Sequence, residues 1–291
     1  TSTARVITLG LVPSPGLPEE VARDIREDLA HELGDFVDTA ATWDVQVVPD
    51  PLTGTDITSA DLFDKLVALA KSREWDYSIA LTDIPARSSK RIVLATASAD
   101  APAAWISIPA LGPFSLRRRT RQLTSELVRS FTMRRSDEAI AEAIISTKIA
   151  HRDTAASETG AMETNYIAPG MLARLRLLGG MVYSNQPWTT FASFKTTVAT
   201  AVATASYGLI FTSVWEFGSV YSIWRLVGLM LLALGFLGVW IIISHRLWQP
   251  QWNVTAQFVT SMYNAATVVT VACGVVFAYA LVYIVLMIEA A

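Results

Sequence analysis

Three apolar stretches in the last hundred residues constrain this chain more than anything else in it. They are KTTVATAVATASYGLIFTSVW (195–215), WRLVGLMLLALGFLGVWIII (224–243) and AATVVTVACGVVFAYALVYIVLMI (265–288). Each supplies the roughly 20 residues that a helix needs to cross a bilayer. Trp188 and Trp215 flank the first, Trp224 and Trp248 the second, and Trp252 precedes the third. Indole rings favour the membrane–water interface, so their placement supports the same reading independently. Charge is distributed accordingly: 20 of the 23 Lys/Arg and 24 of the 26 Asp/Glu fall in residues 1–193. A membrane protein is expected, with a transmembrane helical bundle over 194–291.

Orientation follows from lysines and arginines in the short connections. Arg174, Arg176 and Lys195 precede the first stretch and Arg246 lies between the second and third. The turn 216–223 has no Lys or Arg, although Arg225 opens the second stretch. This bias places the N-terminal domain in the cytoplasm and the protein in the plasma membrane. The single cysteine, Cys273, lies within the third stretch, so no intrachain disulfide can form,. Pro13, Pro15 and Pro18 interrupt the first twenty residues, which lack the apolar core of a secretory leader,. The net charge of −3 gives no reason to expect a nucleic-acid partner.

Residues 1–135 alternate β-rich runs with amphipathic helices, in the order βαβαβββα. Strands are expected at 4–12, 43–48, 77–84, 91–98 and 103–111. A first helix places Val21, Ile25, Leu29 and Leu33 on one stripe, and a second, at 56–75, places Leu62, Leu66 and Leu69. A third, about 116–133, carries Leu116, Leu123, Leu127 and Phe131. The pattern predicts an α/β domain with one mixed sheet. Residues 136–193 read as a helical linker and membrane-surface segment. Within it MLARLRLLGGMV (171–182) sets Arg174 and Arg176 in an apolar run, and Trp188 follows; all three are expected as membrane-surface anchors.

AHELGDF (30–36) begins like a zinc-protease string, but Asp35 stands where the second histidine belongs,. His31 lies about 200° from Leu29 on a helix, among acidic residues. A zinc site needs three or four ligands. The other histidines, His151 and His245, are far away in sequence, so no metal site is expected. Dinucleotide, phosphate-loop, hydrolase-elbow and kinase signatures are missing. Neither a haem-ligating histidine pair nor a cluster-binding cysteine set is present. No cofactor and no catalytic residue is expected. The densest charge is Arg117, Arg118, Arg119 and Arg121, a surface suited to anionic lipid headgroups or an acidic partner. The plainer reading is a basic face that balances the acidic first helix.

Two resemblances add to this. The strands DYSIALTDIPA, RIVLATAS and AAWISIPAL, followed by the helix string SELVRSF, are similar to the metzincin layout. Ser125-Glu126-Leu127-Val128-Arg129 keeps the glutamate of the zinc helix and neither histidine, which implies a degenerate fold without hydrolytic chemistry. Over residues 165–291, MLARLRLLGGMVYSNQPW, HRLWQP and MYNAATVVTVACGV resemble a family of actinobacterial multi-span membrane proteins. That resemblance implies a cytoplasmic α/β domain and a role as an accessory subunit of the actinobacterial cytochrome bc–cytochrome c oxidase supercomplex. The function expected is a non-catalytic accessory or assembly subunit whose partners are other integral membrane subunits. The alternative is a membrane-tethered enzyme or ligand sensor using Asp83, Glu126 and the neighbouring arginines.

Overall fold

A computed structural model describes residues 5–54, 59–88, 91–135, 151–156, 162–168, 172–185, 195–209, 211–249 and 257–290. They fall into two compact units, Thr1–Ser184 and Asn185–Ala291.

The first unit opens with strand β1 (Arg5–Pro13), helix α1 (Leu17–Phe36) and strand β2 (Ala41–Val47). Helix α2 (Ser59–Arg73) and strands β3 (Tyr77–Thr82), β4 (Ala86–Ser88), β5 (Arg91–Ser98) and β6 (Ala103–Ser107) follow. Next come a single helical turn, α3 (Ile108–Leu111), and the long helix α4 (Leu116–Arg135). Strands β7 (His151–Ala156) and β8 (Met162–Ile167) and helix α5 (Ala173–Ser184) complete it.

All strands join one mixed sheet in the order β2-β1-β3-β6-β5-β8-β7, with β4 paired to β5. The β2, β1, β3 and β6 ladders are parallel, and those of β5, β8 and β7 are antiparallel. Because β1 lies between β2 and β3, the crossovers through α1 and α2 run in opposite directions and land on opposite faces. On one face α2 packs Leu62, Phe63 and Leu66 against Val12, Ala80 and Trp105. On the other, Trp43, Tyr77 and Phe131 of α4 stack in series, and the Tyr77 hydroxyl lies 3.0 Å from Thr132 Oγ1. The stripes Val21–Ile25–Leu29–Leu33 and Leu116–Leu123–Leu127–Phe131 are buried throughout. In the second helix Leu62 and Leu66 are buried and Leu69 is half-buried. Gly10 is fixed by packing: a Cβ there would collide with the Trp75 ring, whose Nε1 donates to Gln46 Oε1 at 2.9 Å.

Two expectations change. Residues 108–111, read as the end of a strand, form α3, because Pro109 cannot donate to a ladder but suits a first helical turn,. Residues 151–156 and 162–167, read as linker, are strands that complete the sheet. β8 carries Glu163, Thr164 and Asn165 buried, and Thr96 Oγ1 donates to Asn165 Oδ1 at 2.8 Å. Polar cross-strand pairs of this kind leave no apolar alternation to read. Helix α5, expected as a membrane-surface segment, buries Leu177, Gly180 and Met181 within the α/β unit and leaves Arg174 and Leu175 exposed. A Cβ on Gly180 would strike the Pro109 carbonyl, so glycine lets α5 lie directly against α3.

The second unit holds helices α6 (Lys195–Leu209), α7 (Thr212–Val220), α8 (Ile223–Ser244) and α9 (Gln257–Ala290). Among the described residues two stretches qualify as membrane-crossing by length and composition: Ile223–Ser244, mean hydropathy 2.7, and Phe258–Ile288, mean hydropathy 2.6. The stretch at 195–215 does not form one such helix. α6 has 15 residues, about 22 Å at 1.5 Å per residue against a hydrocarbon core of about 30 Å. Thr204 and Ser206 donate to the carbonyls of Thr200 and Val202 within α6, and at its end the Phe211 amide turns back to the Gly208 carbonyl. Backbone-bonding hydroxyls and a terminal glycine weaken a helix that apolar counting treats as continuous.

α8 and α9 pack on each other, Gly238 facing Val271. The connection is clamped by one side chain. Asn264 Nδ2 donates to the Gln249 carbonyl at 3.0 Å, and Asn264 Oδ1 accepts from the Gln249 amide at 2.9 Å. HRLWQP and MYNAAT, far apart as sequence motifs, meet through this pair.

Candidate functional site

The arginines of α4 face the acidic residues of α1. Arg117 Nη2 lies 2.6 Å from Asp24, Arg121 Nη1 2.5 Å from Asp28, and Arg121 Nε 2.6 Å from Glu32. Ser125 Oγ donates to the other oxygen of Glu32 at 3.1 Å. These contacts answer the question that AHELGDF raises. Glu32 turns toward α4 as a structural acceptor, while His31 and Asp35 are exposed. Among the described residues no three His, Cys, Asp or Glu side chains converge on a point that could hold a metal. The basic cluster is largely spent inside the unit: of its four members, only Arg118 is exposed without an ion-pair partner among the described residues.

Arg119 and Arg176 meet at a different place. Arg119 Nη1 donates to the Leu111 carbonyl at 2.6 Å. The Arg176 stem lies over Gly112, which has a φ of 79°, and any side chain there would occupy the stem's position. The Arg119 guanidinium and the Arg176 stem therefore meet at the Leu111–Gly112 turn between α3 and α4. Among the described residues Arg176 Nε and Nη2 are buried without a hydrogen-bond partner. Burial, and then the charge of Arg119, depress the Arg176 pKa from its ordinary value,. Arg174, one residue back along α5 from Leu175, is exposed. Trp188 lies outside the described residues. The side chains of Arg134 and Arg135 do too.

The carboxyl ends of the parallel strands form a second candidate. Between β1 and β3 the chain reverses direction, the place where α/β sheets open a crevice. Ser14, 1% exposed, donates from Oγ to Asp83 Oδ1 at 3.2 Å. Ser107 Oγ donates to the Ile84 carbonyl at 2.8 Å, drawing the segment after β3 across the strand ends. The Asp50 amide donates to the Pro13 carbonyl at the end of β1 at 2.9 Å, and its carboxylate pairs with Lys65 Nζ at 2.7 Å. Asp83 is thus already engaged, and Glu126 is half-buried on α4 with contacts of its own. Sequence reading singled out Asp83 but missed Ser14, whose only local signal is its place in the PSPG loop after a strand.

On the membrane-length helices, an open groove of about 750 Å³ runs beside Tyr221 and Arg225, Leu226, Gly228, Leu229 and Leu232 of α8. Nothing lies within 4 Å of where a Cβ on Gly228 or Gly235 would stand. No residue of α8 is buried, and Leu232, Phe236 and Trp240 are 70%, 70% and 62% exposed.

Comparison with protein-family models, curated proteins and solved structures finds no match to this chain.

Proposed function

We propose that this chain is a non-catalytic integral membrane subunit that serves assembly or stability of a larger membrane complex. The observation that carries the reading is the uncovered apolar surface of α8. A helix of mean hydropathy 2.7 with Leu232, Phe236 and Trp240 exposed needs lipid or other transmembrane helices around it,. The empty Gly228–Gly235 side and the adjoining groove suit close approach of another helix, since small residues let backbones come near. The resemblance of residues 165–291 to actinobacterial multi-span proteins narrows the proposal to an accessory subunit of the respiratory cytochrome bc–cytochrome c oxidase supercomplex. The α/β unit is then cytoplasmic, and the protein sits in the plasma membrane beside other integral subunits and anionic lipid headgroups.

Mild-detergent purification of the tagged full chain tests this. Stoichiometric co-purification with a defined set of membrane subunits supports it; recovery of the chain alone after gentle solubilisation refutes it.

A second reading, a membrane-tethered ligand sensor, draws on the Arg119–Arg176 turn and on the Ser14–Asp83 pair at the strand crossover. A thermal-shift screen of the full chain against phosphorylated metabolites tests it, and no shift across the panel counts against it.

A further inference from the structure

We propose that Arg119 and Arg176, at the turn between α3 and α4, bind the phosphate of an anionic phospholipid. The inference rests on the membrane reading above and adds to it a specific lipid site on the α/β unit. Its starting point is an imbalance. Arg176 brings Nε and Nη2 into the unit without a partner among the described residues, and Arg119 brings a second positive charge to the same turn. A guanidinium buried without an acceptor is costly. The fork geometry of arginine matches an oxyanion, which can accept from two guanidinium groups at once. The two segments that carry the pair, residues 108–122 and 172–185, contain no Asp or Glu. Asp24, Asp28 and Glu32 of α1 pair with Arg117 and Arg121.

What surrounds the turn selects the source of the phosphate. Phe114, two residues beyond Gly112, is 80% exposed, and Leu172, just before α5, and Leu175, in its first turn, are 70% and 64% exposed. Exposed Arg118 and Arg174 lie on the same two segments. Large apolar side chains interleaved with arginines are the chemistry of an interface between headgroups and acyl chains. A soluble phosphate has no use for Phe114, Leu172 and Leu175. A phospholipid engages both parts, with its phosphate at the guanidinium pair and its glycerol and upper chains against the apolar rim.

The test titrates the detergent-solubilised full chain with short-chain phosphatidylglycerol, short-chain phosphatidylcholine, or inorganic phosphate, and reads hydrogen exchange over 112–119 and 172–180. Phosphatidylglycerol is expected to slow exchange in both segments, with the other two inert at the same concentrations. In Arg119→Gln/Arg176→Gln the midpoint should rise roughly 30-fold, the loss expected for two basic residues facing an anionic surface. Phe114→Ser/Leu172→Ser should weaken the phosphatidylglycerol response while the fold, read by exchange in β1 and β3, is unchanged. Equal protection by inorganic phosphate would overturn the lipid assignment in favour of a soluble anion. Absence of protection by every probe in the wild-type chain would overturn the site itself. Alkaline carbonate extraction of native membranes separates the two levels: a chain that stays in the membrane yet shows no protection refutes this site alone, and a chain that is extracted refutes the membrane reading.

Discussion

Arg121 on α4 and Glu32 on α1 form an ion pair at 2.6 Å, their side chains 30% and 20% exposed, and Asp28 takes a second bond from the same guanidinium. A half-buried, doubly engaged arginine is worth more than a surface pair, because fewer waters compete for its donors. Arg121→Gln should destabilise the α/β unit by about 1–2 kcal/mol, leaving Glu32 with Ser125 as its donor. Arg117, whose side chain is 72% exposed beside Asp24, should cost less than about 0.5 kcal/mol when changed to Gln,. Chemical denaturation of both variants, read by near-ultraviolet circular dichroism, checks the ordering. Equal effects would mean that burial does not distinguish the two pairs.

Docking of α5 onto α3 depends on Gly180. Gly180→Ala would drive a methyl group into the Pro109 carbonyl and force the helix outward. Overpacking of this kind typically costs about 1–3 kcal/mol. Amide exchange over 173–184 should accelerate, while β1 and β3 keep their protection. Unchanged exchange would show that α5 is held by other contacts.

Arg176 holds its charge in a half-buried position, and its depressed pKa records the cost. The sign is that of a cation disfavoured by folding. The unfolded chain binds this proton more tightly, so stability from this group rises only as pH climbs through the lowered pKa toward the unfolded value,. Throughout the ordinary working range the arginine stays protonated and the cost is constant. Arg176→Met keeps the stem over Gly112 and removes the charge. Stability in lipid-free detergent should be unchanged or higher by up to about 1 kcal/mol. A loss of more than that would show that the charge has a stabilising partner.

At the middle of α8, Leu232 is 70% exposed. Leu232→Arg places a charge at the centre of a span and should raise the apparent insertion free energy of residues 223–244 by roughly 2.5–3.5 kcal/mol relative to neutral. A glycosylation-based insertion assay reads this directly. Unaltered insertion would argue that this helix is not a membrane span.

Asn264 is 5% exposed and satisfies both the amide and the carbonyl of Gln249. Asn264→Leu removes both bonds and leaves two backbone groups unpaired at the α8–α9 connection, a loss of about 1–3 kcal/mol. Proteolysis at the connection between the two helices should quicken; an unchanged cleavage rate would show that the clamp is dispensable.

Local periodicity determined much of this protein. The apolar stripes Val21–Ile25–Leu29–Leu33 and Leu116–Leu123–Leu127–Phe131 fix two helices and the faces they bury, because side-chain direction repeats every 3.6 residues whatever the rest of the chain does,. The β runs at 5–13, 77–82 and 91–98 and the two strongly apolar helices are equally local. Strands β7 and β8 were not legible, since Glu163, Thr164 and Asn165 look like loop until Thr96 and its neighbours stand opposite them. The break after Gly208 was hidden by composition, which counts apolar residues and ignores hydroxyls that bond their own backbone. The arginines were legible as a cluster but not in their roles. Asp28 lies 93 residues from Arg121, and only the sheet topology that brings α1 beside α4 decides which charges neutralise each other. The same topology brings Arg119 beside Arg176 at the Leu111–Gly112 turn, because charge alone is written in the sequence and the distance between charges is set by the fold.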